Sequence, residues 1–112
     1  MTDQRVAIVA GARTPFVKAG QAFSGLGPLA LAKHAVRGLL ERHEVDPAGI
    51  GAMAFGVVVA EPGKPNLARE IVLETGLPAG IEAQTVSSYC ITGLRTATVI
   101  ADAIACGQVV DL

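Results

Sequence analysis

Cys90 follows the strand-like run Gln84-Thr85-Val86-Ser87-Ser88 and opens a helix-forming segment, Ile91 to Cys106. A thiol at a helix N-terminus faces unpaired backbone N–H groups and the positive end of the helix dipole. Both favour a thiolate and can bind a neighbouring oxyanion, which is the position of a nucleophile. The competing reading is a buried structural cysteine, and local composition alone does not separate the two. The helix behind Cys90 has only Arg95 and Asp102 as charges, while Ile91, Leu94, Ala97, Val99, Ile100, Ala101, Ala103, Ile104 and Ala105 spread around its circumference. A helix apolar on all sides is expected in a core, so its N-terminal end would be held rigidly from behind.

The remaining chemistry-bearing residues carry weaker signals. Cys106 reads as a small buried hydrophobe. It stands at the far end of the same helix, about 24 Å from Cys90 at about 1.5 Å per residue, so the two thiols are not expected to pair. His34 lies toward the polar side of a helix and His43 at its end, near the carbonyls; neither has a partner at metal-ligand spacing. Gly25-Leu26-Gly27-Pro28-Leu29-Ala30 has the glycine spacing of a dinucleotide fingerprint. More than a dozen residues separate it from the preceding strand, and Pro28 removes a donor where a pyrophosphate needs one, so it reads as a loop that starts a helix. Gly-x-Ser-x-Gly, paired-cysteine and His-Glu-x-x-His patterns are missing, which leaves serine hydrolase and zinc chemistry without support.

The elements that must position Cys90 follow from periodicity. Arg5–Ala10 is short, partly β-branched and apolar on both faces, as for a buried strand. From Leu29 to Glu44 the apolar residues Leu29, Ala32, Val36, Leu39 and Leu40 oppose Lys33, Arg37, Glu41 and Glu44, an amphipathic helix started by Pro28. Asp46-Pro47 with Gly49 and Gly51 makes a turn, Ala52–Ala60 reads as a second buried strand, and Pro62, Gly63 and Pro65 break it. Asn66 caps a short helix with apolar face Leu67, Ala68, Ile71 and Val72, ended by Gly76 and Pro78. A third strand at Ala83–Ser87 delivers the chain to Cys90. Gly107 stops the last helix, and Val109–Leu112 reads as a fourth strand. The order β-α-β-α-β-α-β with a buried central helix predicts an α/β layer architecture. A strand that stops at its fourth residue, after a helix apolar on every face, predicts that residues 1–112 are the N-terminal part of a larger, here truncated, protein.

Of the 112 residues, 51% are hydrophobic and 17% charged, enough for one domain with an apolar core. Nine basic and ten acidic residues leave a net charge of −1 without a basic cluster, so nucleic acid is not an expected partner. No apolar stretch approaches the roughly 20 residues of a membrane span, and the N-terminus lacks a signal-peptide profile. Two unpaired thiols point to a reducing compartment, the cytoplasm.

Ala12-Arg13-Thr14-Pro15-Phe16, Pro65-Asn66-Leu67-Ala68-Arg69 and Val86–Leu94 (VSSYCITGL) stand in the order and spacing seen at the N-terminus of thiolases, which the chain resembles along essentially its whole length. Pro65–Leu77 (PNLAREIVLETGL) is most similar to the β-subunit of the fatty-acid β-oxidation complex. The resemblance implies part of the first of two similar α/β halves, with the reactive cysteine at the start of a central helix. It implies that Cys90 takes the acyl group of a 3-ketoacyl-CoA as a thioester and releases acetyl-CoA, after which coenzyme A collects the shortened chain, or the reverse condensation. The Cys90 backbone N–H would serve the oxyanion hole. Coenzyme A is then a substrate, with no cofactor and no metal; the implied partners are acyl-CoA, a second copy in a dimer or higher oligomer, and the α-subunit of a β-oxidation complex. Ser87 stands where many thiolases have Asn, and Ile91-Thr92 replaces the commoner pair of small residues. The family's Gly-His-Pro histidine and Cys-x-Gly cysteine would lie beyond residue 112, so the segment alone is expected to be inactive. A ketoacyl-synthase relative and a non-catalytic α/β interaction fragment are the alternatives.

Overall fold

The computed structural model describes residues 5–109. Three helices, α1 (Pro28–Arg42), α2 (Leu67–Glu74) and α3 (Thr92–Ala105), alternate with two strands, β1 (Ala52–Gly56) and β2 (Glu82–Val86), in the order α1-β1-α2-β2-α3. The strands pair in parallel from Ala52 opposite Glu82 to Gly56 opposite Val86, and Val57 N–H adds one more bond to the Val86 carbonyl at 3.0 Å. The α/β class expected from the sequence is therefore present.

Successive strand residues point to opposite faces. Met53 and Ala83 turn to one side, where they join Val36, Leu40, Ile50, Val72, Leu77 and Ile81 in the hydrophobic core. Ala52, Ala54 and Gly56 turn to the other side, toward α3. The result is three layers, with α1 packed on α2, α2 on the sheet and α3 on the opposite face.

Local chemistry explains the helix limits. Pro28 occupies the first turn of α1, where its missing N–H costs nothing. The Asn66 side chain caps α2 by accepting from Arg69 N–H, and Leu67, Ala68, Ile71 and Val72 are its buried face, as the sequence predicts. Gly76 follows α2 and Gly107 follows α3, both with φ 75°, a left-handed conformation that glycine adopts without strain. The polar side of α1 is not simply solvated. Lys33 Nζ reaches Glu74 Oε2 at 2.8 Å, and Arg37 donates to the Glu74 carbonyl at 3.1 Å, placing two cations at the negative end of α2.

Four expectations are corrected. Arg5–Ala10 is not a strand: Ile8 is 93% exposed, and Val6, Ala7 and Ile8 instead line a groove with Leu94, Ile100 and Ile104 of α3. An apolar β-branched run favours extended backbone, but a strand also needs a ladder to a neighbouring edge, and residues 5–10 pair with neither open edge of the two-stranded sheet. The second strand ends at Gly56, and Val58 and Val59 are exposed. The apolar helix is buried on one face only: Thr92 is its buried residue and Leu94 is 75% exposed. A two-stranded sheet covers one side of a cylinder, and the described residues supply no second layer. Cys106 is exposed, because it sits at the C-cap of α3, donating its N–H to the Asp102 carbonyl at 2.9 Å, past the part of the helix that packs. Of the fourth strand, Val109 is buried outside any strand, and 110–112 lie outside the described residues.

The Lys33 hydrogen bond, and then its charge, hold the Glu74 carboxyl below its ordinary pKa. A depressed carboxylate pKa contributes stability above the unfolded value, lost as pH falls through the folded one. Lys33→Met is therefore expected to destabilise the chain modestly at neutral pH, with the difference vanishing on acidification through the carboxylate range. Urea denaturation at a series of pH values reads this, and a difference independent of pH would contradict it.

Candidate active site

β2 ends at Val86, and the chain passes through Ser87 and Ser88 into a single 3₁₀ turn, Tyr89–Ile91, before α3 begins at Thr92. Cys90 is the middle residue of that turn and is exposed. It lies outside the carboxyl end of the parallel strands, where open α/β sheets present their ligand sites. The thiol thus precedes α3, as the sequence predicts, with the helix beginning one residue later than expected, at Thr92 instead of Ile91.

Tyr89 has φ 50°, a left-handed conformation that costs a non-glycine residue roughly 1–2 kcal/mol. The following Thr92 is only 4% exposed and is tied to the same turn. Its Oγ1 accepts from Ser88 N–H at 2.8 Å and donates to the Tyr89 carbonyl at 2.6 Å, while Ile91 N–H donates to the Ser88 carbonyl at 3.3 Å. Thr92 and Thr96 press their methyls against Gly56. A Cβ at Gly56 would overlap Thr92 Cγ2 and stand 3.2 Å from Thr96 Cγ2. Glycine inside a strand here marks a close approach, that of α3 to β1.

The strand that carries the turn is clasped from the other face. Asn66 Nδ2 donates to the Ala83 carbonyl at 3.1 Å, and Thr85 Oγ1 donates to Asn66 Oδ1 at 2.8 Å. Thr85 Oγ1 in turn accepts from Ala68 N–H at 3.1 Å. Arg69 Nη1 donates to the Ala79 carbonyl at 2.7 Å, fixing the loop that enters β2. The helix cap expected at Asn66 is also the joint between α2 and β2.

Neither histidine is brought to Cys90. Both belong to the α1 layer, across the sheet from α3: His43 Nε2 donates to the Gly11 carbonyl at 3.0 Å, and His34 lines a cavity of about 390 Å³ with Arg13 and Arg42. Gly25 and Gly27 lie in the loop and turn that lead into Pro28, as their spacing from a strand predicted. Among the described residues no three His, Cys, Asp or Glu groups converge on a metal position, and no helix is long and apolar enough to cross a membrane. Sequence reasoning missed Thr92 and Tyr89. Gly56 within an apolar strand was the available signal for the close approach, whereas tyrosine has no tendency toward left-handed backbone that would mark the turn.

The fold and the site define an α/β layer protein that exposes a thiol on the turn between a parallel strand and the helix packed behind it. Residues 6–110 match the family described as thiolase, N-terminal domain, and the chain belongs to the thiolase family. It is 45% identical over 108 residues to a 3-ketoacyl-CoA thiolase of Colwellia psychrerythraea, covering 96% of this chain and 25% of that protein. An acetyl-CoA acetyltransferase structure from Syntrophomonas wolfei superposes with a TM-score of 0.79 at 28% identity, over 91% of this chain and 26% of that one. The Bacillus anthracis acetyl-CoA acetyltransferase shares the fold, with a TM-score of 0.74 at 22% identity over 88% of this chain and 24% of that one. The chain spans about a quarter of the length of the relatives it matches.

Two substitutions test the supports of the turn. Gly56→Ala is expected to destabilise by about 1–3 kcal/mol through overpacking, and adding Thr92→Ser, which removes Cγ2, should recover part of that loss. Strictly additive effects in chemical denaturation would mean that the two residues do not share the contact. Asn66→Ala is expected to cost about 1–2 kcal/mol. Asn66→Asp should not restore it, since the carboxylate retains the cap but has no donor for the Ala83 carbonyl; full recovery by Asp would show that the bond to β2 is immaterial.

Proposed function

We propose that the chain is the nucleophile-bearing segment of a 3-ketoacyl-CoA thiolase and that Cys90 is the acyl carrier. The observation that carries this reading is the exposed Cys90 on the strained turn behind a parallel strand, in a chain of the thiolase family. In the thiolytic direction Cys90 Sγ, its proton removed by a base, bonds to C3 of the 3-ketoacyl group. The C2–C3 bond then breaks, and its electron pair stays on C2, which takes up a proton as the methyl of acetyl-CoA. Coenzyme A next loses its thiol proton, its sulfur bonds to the acyl carbon, and the Cys90 thioester bond breaks. The first amides of a helical turn have no acceptor within it, so the Cys90 N–H is available to the oxyanion.

The exposed side chains of Tyr89, Ile91 and Leu94 flank the thiol and give an apolar surface suited to an acyl chain. No base or acid on α3's side of the sheet is supplied by His34 or His43, so turnover needs groups that these residues do not provide. Acyl-CoA and coenzyme A are the small-molecule partners in this reading, assembly is at least dimeric, and a reducing cytoplasm keeps both cysteines free.

The test is a chimera in which this chain replaces the matching quarter of the Colwellia psychrerythraea relative. It is expected to cleave acetoacetyl-CoA in the presence of coenzyme A and to form an acyl-enzyme at Cys90. Cys90→Ser should abolish both, because a hydroxyl lacks the nucleophilicity of the thiol. The isolated chain should show no steady-state turnover above its Cys90→Ala variant. A folded, active chimera whose Cys90→Ser form keeps near-normal thiolysis would remove Cys90 from the reaction.

A further inference from the structure

Thr92 is the buried polar side chain of the described residues, and both hydrogen bonds of its hydroxyl go to the main chain of the two residues just before Cys90, Ser88 N–H and the Tyr89 carbonyl. Packing does not explain the left-handed Tyr89, whose side chain is 76% exposed. The main chain is held instead. The Tyr89 carbonyl receives the Thr92 N–H as well as the Thr92 hydroxyl, and the preceding Ser88 N–H donates to that same hydroxyl. One oxygen, acting as donor and acceptor, closes a ring around the turn in which Cys90 stands. The methyl of Thr92 is lodged against Gly56, so the ring is anchored to β1. We infer that Thr92 is the positioning residue for Cys90: its hydroxyl holds Tyr89 left-handed and thereby fixes the direction in which the turn presents the thiol.

This assignment rests on the acyl-transfer reading for what the thiol does, while the ring itself is a matter of geometry. Thr92→Val keeps the methyl against Gly56 and removes only the hydroxyl; Thr92→Ser keeps the hydroxyl and removes only the methyl. Two measurements read the outcome: hydrogen exchange of the Ser88 amide by NMR on this chain, and single-turnover S-acetylation of Cys90 by acetyl-CoA in the chimera described above, followed by peptide mass mapping. Loss of a buried hydrogen bond predicts that Thr92→Val exchanges the Ser88 amide about tenfold faster and acetylates Cys90 about tenfold more slowly. Thr92→Ser should stay close to the parent in both. If Thr92→Val fails to fold, Thr92→Ser against Thr92→Ala reads the hydroxyl in the same way. Unchanged Ser88 exchange in the variant lacking the hydroxyl overturns the ring, and faster exchange with unchanged acetylation overturns the positioning role. A folded parent chimera whose Cys90 takes up no acetyl group, with Ser88 still protected in this chain, overturns the acyl-transfer reading and leaves the ring standing.

Discussion

The Thr92 side chain is the constraint on which the rest of the site depends: its hydroxyl holds the turn and its methyl packs on Gly56. A strand and a helix approach this closely only where one side lacks a Cβ, and here the vacancy is filled by the Thr92 and Thr96 methyls. That contact sets the depth of the N-terminal end of α3 against the sheet. Because Thr92 is both the first residue of α3 and the polar partner of Ser88 and Tyr89, the same side chain converts a packing distance into a backbone conformation. A left-handed tyrosine would relax if it were held by its own side chain alone, which is largely exposed. It persists because the surrounding structure over-determines it.

The opposite face of the sheet supplies the second constraint. β2 is a short strand with polar residues at Glu82, Gln84 and Thr85, and its placement relies on side-chain to backbone bonds more than on a deep apolar face. Asn66 satisfies an orphan amide at the start of α2 and a strand carbonyl at once, so α2 and β2 are joined before the chain turns toward Cys90. The core beneath them, Val72, Leu77 and Ile81, is small and lies entirely on this side. Rigidity on one face of the sheet and close approach on the other meet at the carboxyl end of the strands, where the thiol emerges.

The order of helices, their caps and the approach of β2 to Cys90 were legible in the sequence, because each is written in local residue types: Pro28 at a first turn, Asn66 before an apolar face, Gly76 and Gly107 after the last turns. The expected first strand was not, because Arg5–Ala10 announces extended backbone but not a partner, and pairing is a property of two segments. Exposure of α3 was misjudged for a similar reason. Apolar residues around a whole helix state that both sides prefer burial, and only the side facing β1 has a layer among the described residues. Cys90 was legible as a cysteine between a strand and a helix, while the support of its turn by Thr92 was hidden. A threonine two residues on carries no signal until the chain has turned back to place its hydroxyl under Ser88.

The half-covered α3 also bears on how the chain works. Val6 to Ile8, Ala54 of β1 and the α3 residues Leu94, Ile100 and Ile104 line an open groove of about 540 Å³. Leaving such apolar area in water forgoes about 25 cal/mol for each Å² that could be buried. The two histidines belong to the α1 layer across the sheet, so neither stands on the side of α3 that lacks a covering layer among the described residues. In a chain that spans about a quarter of the length of its relatives, any element packed on α3 to bury its outer face would also stand beside the turn that carries Cys90. In the acyl-transfer reading proposed above, such an element would bury the helix and complete the surroundings of the thiol together, while the described residues supply the turn that fixes where the sulfur points.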